Sequence, residues 1–412
     1  MVHEPTRVLL FAMAFPPDAV GSGAFAYRLA CGLAAKGYGV RVLAPEDRAG
    51  RWVEMDAVQA FQTVRFAARG PVLGRYWKAR RWLRREIAGY HPDLVWTTNG
   101  MATRVVGFTP ELDGWDLPIL SSIRGSDITT RLPGRGPWAR LESVYQRRCY
   151  ARSTAIAAAS EYLRRIAVSR GIDAQSIFIN PPAFDFCQLK EYTFDAARLE
   201  KVHPALSGKP VLLTVARLVK QKRVAVVLEA VAHLRRRVPE TMLVVVGDGP
   251  QRAALERRAR RMGMADSVLF TGSVTPMSEA LYDLYSAARV FVMAGVREGL
   301  GNVFVEAGAL STPSVGVDDG GVPEIIQDGR TGLLARPDDP VDLARKLENL
   351  LTNAETARRM GEGAHAWVKE RFSTAAMLAR SQRILQYVLH HSDGGQGGAP
   401  TLEPGYREGG PT

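Results

Sequence analysis

The chain has 412 residues, more than a single hydrophobic core usually serves, so its length predicts two domains. Hydrophobic residues at 46% and charged residues at 23% are typical of a globular protein, and no apolar run reaches the ~18 residues of a membrane-spanning helix. The net charge of +12 predicts an anionic partner, such as a phosphorylated substrate, an anionic lipid surface or nucleic acid.

The N-terminal segment predicts the start of a globular domain. It lacks the basic start, apolar run and cleavage site of a signal peptide. The cysteines, Cys31, Cys149 and Cys187, have the spacing of neither a disulfide framework nor a zinc site. We therefore expect a reduced, cytoplasmic protein. Apolar residues 7–13 and 40–44 predict two strands around a helix, a βαβ unit.

A glycine turn precedes this first helix. Gly21, Gly23 and Ala26 match the dinucleotide fingerprint G-x-G-x-x-G/A, but residues 14–20 separate the turn from its strand. Three interpretations stay open: a nicotinamide site, a plain strand-to-helix turn, and a turn whose amides face a ligand cleft. In the last case Gly23 is a candidate donor-binding residue.

Residues 70–90 form a basic segment with interleaved aromatic side chains. Six cations, Arg75, Lys78, Arg80, Arg81, Arg84 and Arg85, alternate with Tyr76, Trp77 and Trp82. This pattern predicts a helix that either meets an anionic membrane surface or exposes a solvated face above a core stripe.

Strands predicted at 93–97 and 119–124 lead to the sequence Arg124-Gly125-Ser126-Asp127. The guanidinium fork of Arg124 suits a phosphate or an acidic acceptor, and a simple ion pair with Asp127 is the alternative. Strands at 153–160 and 176–180 complete a first domain, residues 1–185. The polar segment 186–209 is predicted to be an irregular linker.

A second βαβ series begins with the strand at 210–216 and predicts a domain over residues 210–370. Arg217 and Lys222 follow its first strand, where two cations can face a ligand crevice and bind a diphosphate. A solvated basic loop is the alternative. Further strands are predicted at 242–246 and 267–270, and the second leads to the turn that contains Gly272 and Val274.

The most informative stretch follows the apolar strand 290–293. It reads Arg297-Glu298-Gly299-Leu300-Gly301-Asn302-Val303-Phe304-Val305-Glu306. Its glycines allow a tight turn, Asn302 is predicted to cap the next helix, and the helix start is a candidate anion site. Glu306 lies among apolar residues, where ribose hydroxyls can satisfy its carboxylate. A helix-capping loop, with the glutamate bonded to neighbouring backbone, is the alternative.

The C-terminal part predicts helices at 341–351, 354–369 and 375–390. Residues 392–412 are rich in Gly and Pro and poor in large apolar residues, so we expect a disordered tail.

The run 298–334, with paired glutamates followed by Gly320-Gly321-Val322-Pro323-Glu324, resembles the donor-sugar half of retaining family 4 glycosyltransferases. The resemblance implies the GT-B fold class, α/β with two doubly wound Rossmann-like domains facing across a cleft. It also implies that the helix at 371–391 crosses back to the first domain. The activity it implies is transfer of a sugar from a nucleotide-sugar donor to a glycan, lipid-linked or small-molecule acceptor, with retained configuration.

The resemblance also implies roles for individual residues. The catalytic candidates are Glu298, Arg217, Lys222, Arg124 and Asp127; the donor-binding candidates are Gly23, Gly272, Val274, Gly299, Leu300, Gly301, Asn302, Val303 and Glu306. Two positions depart from the family. Arg124 stands where the family usually has a catalytic-site histidine, and Arg223 stands where it usually has glycine after the lysine.

No cofactor or metal is expected, because the chain contains no Asp-x-Asp element to hold a divalent ion. Two rival functions remain at this point. One is a nucleotide-sugar epimerase of the same architecture, and the other is a basic anionic-surface or nucleic-acid binder that has lost activity. The charge is not gathered in a known nucleic-acid motif, so no nucleic-acid partner is predicted.

Overall fold

The computed structural model describes residues 4–17, 21–47, 51–129 and 137–392. The chain divides into two compact units, Met1–Ala183 with Thr374–Thr412, and Phe184–Ser373. The tail predicted to be disordered lies outside the described residues, apart from Ser392 at the end of the last helix.

The first unit contains a seven-stranded sheet in the order β3-β2-β1-β4-β5-β6-β7, with every neighbouring pair parallel. Its elements up to residue 183 are β1 (Arg7–Phe11), α1 (Ser22–Ala35), β2 (Gly39–Pro45), α2 (Trp52–Ala57), β3 (Gln62–Phe66), α3 (Val72–Tyr90), β4 (Leu94–Thr97), α4 (Gly100–Gly107), β5 (Ile119–Ile123), α5 (Ser126–Thr129), α6 (Pro137–Arg152), β6 (Ala155–Ala158), α7 (Glu161–Ser169) and β7 (Ile177–Ile179).

Most residues of these strands are apolar because helices cover both faces of the sheet; the main exceptions are Arg41 of β2 and the polar residues of β3 and β5. In β1, Val8 and Leu10 belong to one buried cluster, and Leu9 and Phe11 belong to the cluster on the other face. Continuous apolar strands are typical of parallel sheets that are buried on both sides.

The second unit contains a six-stranded parallel sheet in the order β10-β9-β8-β11-β12-β13. Its elements are α8 (Ala196–Val202), β8 (Val211–Val215), α9 (Val224–Leu234), β9 (Met242–Val246), α10 (Arg252–Arg261), β10 (Val268–Gly272), α11 (Glu279–Ala287), β11 (Val290–Val292), α12 (Asn302–Ala309), β12 (Ser314–Val317), β13 (Gly332–Ala335), α13 (Pro340–Thr352) and α14 (Ala354–Arg371).

Residues 186–209 belong to this second unit, and the prediction that they are irregular was wrong. They contain α8, and Leu206 is buried in the core. Arg198 of α8 donates from Nη2 to Asp283 at 2.8 Å, while Tyr192 donates its hydroxyl proton to the same carboxylate at 3.0 Å. These polar contacts fasten a segment whose composition alone resembles that of a linker.

The last helix, α15 (Thr374–Ser392), completes the first unit. Its buried residues Met377, Ile384, Leu385 and Val388 join the apolar cluster that contains Val8 and Leu10 of β1. The core of the first unit is therefore assembled from both ends of the chain.

Candidate active site

The strand order of the second sheet reverses between β8 and β11, and two loops leave the sheet side by side there. Ligands of open parallel sheets bind outside the carboxyl ends of the strands at such a reversal. The loop after β8 carries Arg217 and Lys222, and the loop after β11 carries Glu298. A hydrogen bond from Val296 N to Gln221 O, 3.1 Å long, joins the two loops.

An ion pair connects the functional candidates of these loops. The Lys222 ammonium lies 2.8 Å from each carboxylate oxygen of Glu298. The Glu298 side chain is 8% exposed and that of Lys222 is 24% exposed. A carboxylate so shielded from water needs a partner, and the ammonium supplies it. Together the two groups offer donors for phosphate oxygens and acceptors for hydroxyl groups.

The glycine-rich turn after β12 fixes the backbone around Glu298. Gly321 N donates to Glu298 O at 2.9 Å, and Arg297 N donates to the Asp319 carboxylate. Gly320 has φ +65°, and a Cβ at that position would lie 2.5 Å from Glu298 O. A larger residue at position 320 would therefore push the Glu298 loop away.

Helix α12 begins directly after this loop. Its N-cap is Gly301 with φ 99°, so the prediction that Asn302 caps the helix was wrong: Asn302 is already the first helical residue. No side chain of the described residues caps the helix, and its first turn contains no acidic residue. Its first N–H groups and its positive dipole end are therefore suited to an anion. Leu300 and Gly301 are buried, and Gly299 and Val303 are half-buried.

The basic residues of the β8 loop have different surroundings. The Arg217 side chain is exposed, and the structure records no ion pair between it and any described residue. Arg223 adopts φ 50°, a left-handed conformation that favours the glycine usual in the family. Its guanidinium Nε lies 3.1 Å from Asp338, so this departure from the family is anchored by an ion pair.

Glu306 finds a partner within its own unit. Its Oε2 accepts a hydrogen bond from the Tyr285 hydroxyl at 2.8 Å. Burial, reinforced by the nearby carboxylate, raises the pKa of Tyr285 well above its usual value. Tyr285 thus stays protonated and donates to Glu306, which is half-buried on the first turns of α12.

Gly272 and Val274 lie at the end of β10. Gly272 O accepts a hydrogen bond from Gly247 N at 2.8 Å, and Val274 packs against the core of the unit. The turn is thus fixed to the loop after β9. That loop reaches the β8 loop through Leu218 N, which donates to Asp248 O at 2.9 Å.

The remaining candidates, Arg124, Asp127 and Gly23, belong to the first unit. Asp127 caps the turn after β5 by accepting from Arg124 N at 3.1 Å and from Gly125 N at 2.7 Å. The Arg124 guanidinium has other partners than Asp127. Its Nη1 donates to Asn180 O at 2.8 Å, and the Phe25 ring centre lies 3.3 Å from its Cζ. The alternative of a guanidinium–carboxylate ion pair is therefore wrong.

Burial sets the protonation preferences of this turn. It raises the pKa of the Asp127 carboxyl, against the pull of its N–H donors, and lowers the pKa of the Arg124 guanidinium. Gly23 is distant from this turn in sequence; it is buried in the first turn of α1, whose N-cap Gly21 has φ 67°.

Sequence reasoning did not include three residues that the structure ties to these candidates: Gln221, Tyr285 and Asp319. Gln221 lies between the predicted cations, and Asp319 directly precedes the paired glycines, so both were within reach of pattern analysis. Tyr285 belongs to α11, and nothing in the sequence connects it with Glu306.

Among the described residues, no three His, Cys, Asp or Glu side chains are grouped so that they could hold a metal ion. Within the same residues, none of the helices is both long and apolar enough to cross a membrane.

Two protein families match the chain in succession. Residues 20–183 match the glycosyl transferase 4-like domain, and residues 195–367 match glycosyl transferases group 1. The chain belongs to the family 4 glycosyltransferases. The prediction of this family, and of a glycosyltransferase as the class of enzyme, is thus confirmed.

Curated relatives of this glycosyltransferase act on several acceptors. It is 28% identical to the GDP-mannose-dependent alpha-(1-6)-phosphatidylinositol monomannoside mannosyltransferase of Mycobacterium tuberculosis, over 92% of this chain and 98% of the relative. It is 28% identical to the D-inositol 3-phosphate glycosyltransferase of Nocardia farcinica, over 76% and 71%. It is 30% identical to the N-acetyl-alpha-D-glucosaminyl L-malate synthase of Bacillus anthracis, over 49% and 52%.

Solved structures confirm the fold of the glycosyltransferase. Sucrose-phosphate synthase from Thermosynechococcus elongatus matches with a TM-score of 0.76 at 20% identity, over 94% of this chain and 100% of that one. Anabaena HepE, in complex with UDP and glucose, matches with a TM-score of 0.75 at 17% identity, over 92% and 99%. The predicted α/β class with two doubly wound sheets is confirmed.

Proposed function

We propose that this glycosyltransferase moves a sugar from a nucleotide-sugar to an acceptor hydroxyl, with retained configuration and without a metal ion. The observation that carries the proposal is the Lys222–Glu298 pair at the strand-order reversal of the second unit. A cation and a carboxylate at that place suit a ligand with both phosphate oxygens and sugar hydroxyls.

In this proposal the following residues of the second unit contact the donor. Arg217, Lys222 and the first N–H groups of α12 neutralise the diphosphate, and Glu298 accepts from sugar hydroxyls. Glu306 accepts from the ribose, and the turn containing Gly272 and Val274 borders the base. One relative is named for GDP-mannose and a structural neighbour was solved with UDP, so both guanine and uracil nucleotides are tested as donors.

The transfer step follows from this distribution of charge. The bond between the anomeric carbon and the diphosphate oxygen breaks while the acceptor oxygen bonds to that carbon on the same face. The acceptor's hydroxyl proton passes to the departing phosphate oxygen, so no side chain acts as a strong base. Fixed cations stabilise the charge that develops on the leaving group. Without an Asp-x-Asp element, these cations do the work that a divalent ion does elsewhere.

The test is a turnover assay on the full chain with GDP-, UDP- and ADP-sugars in excess EDTA. Inositol 3-phosphate, L-malate and phosphatidylinositol monomannoside serve as acceptors because the relatives' names specify them. We expect acceptor-dependent release of nucleoside diphosphate and, by NMR coupling at the anomeric carbon, a product with the configuration of the donor. Glu298→Gln serves as the inactive control.

Each negative result would contradict a different part of the proposal. Activity lost in EDTA and restored by manganese would overturn the metal-independent part, and an inverted product would overturn retention. An isomerised nucleotide-sugar formed without acceptor would indicate an epimerase. Absence of both turnover and nucleotide binding would leave a surface binder that has lost activity.

We propose further that the protein is cytoplasmic and peripheral to an anionic membrane, which it meets through α3. Trp77 is 53% exposed, and Arg81, Arg84 and Arg85 are exposed beside it. These side chains line a groove of about 630 Å³ together with Lys78, Arg80, Ala88 and Trp115. Exposed cations next to an amphipathic ring are a combination that suits the interface of an anionic bilayer. The structure joins no two of Cys31, Cys149 and Cys187 in a disulfide, which supports a reducing compartment.

A further inference from the structure

Arg124 is held in an arrangement that leaves one side of its guanidinium without partners. Nη1 donates to Asn180 O at 2.8 Å, and the flat face of the group stacks on Phe25 with 3.3 Å between Cζ and the ring centre. Among the described residues, neither Nε nor Nη2 has a hydrogen-bond partner, and both atoms are buried. The face and one edge of the group are thus occupied, and the edge formed by Nε and Nη2 is not.

The charge of this guanidinium is only partly compensated, because Asp127 attracts it through space but accepts no hydrogen bond from it. The carboxylate next to it in sequence, Asp127, is taken up by the backbone N–H groups of Arg124 and Gly125. Arginine stays charged at neutral pH, and a buried charge with unsatisfied donors is costly unless a partner neutralises it. The turn after β5 therefore holds a cation whose Nε–H and Nη2–H groups have no acceptor among the described residues.

The two atoms without partners, Nε and Nη2, determine which ligand can neutralise the guanidinium. Nε–H and Nη2–H point in the same direction from one edge of the guanidinium and form a fork. This fork fits two oxygens of a carboxylate or a phosphate, which it binds through two parallel hydrogen bonds. A neutral hydroxyl or a single carbonyl oxygen fills the fork less completely and leaves the charge in place.

We propose that the Nε–Nη2 fork of Arg124 binds an oxyanion, a phosphate or carboxylate group, of the sugar acceptor. The inference rests on the proposed function, since it takes the first unit as the acceptor side. Both fork atoms are buried although Arg124 as a whole is half-buried, so the side chain must rotate to present the fork to a ligand. The anion then fixes the acceptor beside the turn, and acceptors without an anionic group bind less well.

The experiment uses the full chain saturated with a nucleoside diphosphate, so that phosphate-binding groups of the donor site are already filled. Inorganic phosphate and malonate are titrated separately, and the arginine Nε–H resonances are followed by ¹⁵N NMR. The Arg124 resonance is assigned by its loss in Arg124→Lys. We expect one of the two anions to shift it in a saturable way, and which anion does so distinguishes a phosphate from a carboxylate acceptor.

Variants distinguish binding by the two-pronged fork of Arg124 from binding by its positive charge alone. Arg124→Lys keeps the charge but loses the fork, and we expect it to weaken binding of the effective anion at least tenfold. Arg41→Lys is the matched control, because Arg41 also stacks on a ring, Tyr90, but its donors already bond Gln62 and Glu86. Unchanged binding in Arg124→Lys, or an Arg124 resonance that neither anion moves, would overturn the proposal.

If Arg124→Lys fails to fold, a crystal structure of the unmodified protein grown with each anion decides. An anion with oxygens within about 3.2 Å of both Nε and Nη2 supports the proposal, and an empty fork rejects it. Nucleotide affinity is measured first in the same samples. Normal nucleotide binding with an inert fork rejects this inference alone, whereas failure to bind nucleotide rejects the proposed function.

Discussion

Arg217 and Lys222 follow the same strand in sequence, yet they differ in exposure and in ion-pair partners. Arg217 is exposed and has no recorded ion pair with a described residue, whereas Lys222 neutralises a carboxylate that is 8% exposed. Removing Arg217 therefore deletes a charge that only a ligand would use. Removing Lys222 also leaves a buried acidic group without its partner.

We predict that Lys222→Ala lowers the free energy of unfolding by about 1–3 kcal/mol, because the Glu298 carboxylate loses its hydrogen bonds. Arg217→Ala should change it by less than about 0.5 kcal/mol. Urea unfolding measures both, and the double variant Lys222→Ala/Glu298→Gln should recover part of the loss. Equal stability of the two single variants would contradict this account of the pair.

Glu306 allows a second residue-scale prediction. We expect Glu306→Ala to weaken nucleotide binding by about 1–3 kcal/mol, through loss of charge-assisted hydrogen bonds to ribose. Tyr285→Phe is the control, since it removes the hydroxyl that donates to Glu306 but leaves the carboxylate in place. Calorimetry that finds unchanged affinity in a folded Glu306→Ala protein would exclude the ribose role.

At the scale of elements, the active-site loop after β11 depends on the turn after β12. Gly320 and Gly329 both have positive φ, +65° and +77°, but their surroundings differ. A Cβ on Gly320 would lie 2.5 Å from a backbone oxygen of the Glu298 loop, whereas a Cβ on Gly329 would have nothing within 4 Å. The two glycines thus separate backbone strain from steric contact.

We predict that Gly329→Ala costs only the left-handed strain, about 1–2 kcal/mol, and leaves turnover unchanged. Gly320→Ala pays the same strain and also displaces the Glu298 loop, so its turnover should fall at least tenfold. Thermal unfolding and steady-state turnover of both variants provide the comparison. Similar turnover in the two proteins would show that the turn does not position Glu298.

The sequence predicts well those elements whose own residues, without distant partners, determine their secondary structure. Met242–Val246 is a strand with the predicted bounds because five apolar residues must be buried on both faces. The strands Gln62–Phe66 and Gly332–Ala335 were missed because both are short, and in the first the polar residues Gln62, Thr63 and Arg65 outnumber the apolar ones. α8 was missed because its stability comes from distant partners such as Asp283, which local sequence does not reveal.

In the candidate site, too, features set by local sequence were predicted and features set by the folded backbone or by distant partners were not. The cations and glutamates were identified because their types and spacing state their chemistry. The N-cap at Gly301 was not, since Asn and Gly both suit that position and only the backbone angles decide between them. The partners of Arg124 were also missed, because Phe25 and Asn180 are far from it in sequence and come together only in the folded sheet.

At the scale of the whole molecule, the net charge of +12 raises the question of whether any one surface binds anions. α3 exposes Lys78, Arg81, Arg84 and Arg85, while a stripe that includes Tyr76, Ala79 and Leu83 is buried. The interpretation of a solvated face above a core stripe is therefore right about the stripe.

We predict that anionic vesicles bind the protein in a salt-sensitive way, because exposed charges are screened beyond about 10 Å at 0.1 M salt. Replacing Arg81, Arg84 and Arg85 by Ala should reduce sedimentation with these vesicles. The matched control replaces the exposed Arg257, Arg260 and Arg261 near the end of α10, which removes the same charge from the second unit. An equal loss in both variants would assign binding to net charge rather than to α3.

The path of the chain through the two units also determines the order in which they can be completed during synthesis. The second unit begins and ends at neighbouring points, since Phe184 N donates to Phe372 O at 2.7 Å and Phe184 bridges to Ser373. It is therefore an insertion, and all of its residues leave the ribosome before α15 does. The first unit starts earlier, but Met377, Leu385 and Val388 of its core are translated near the end. The unit that emerges first is thus the last to be completed. During translation α1 can cover its part of the apolar cluster that contains Val8 and Leu10, but the part that α15 covers stays exposed for about 190 residues of synthesis.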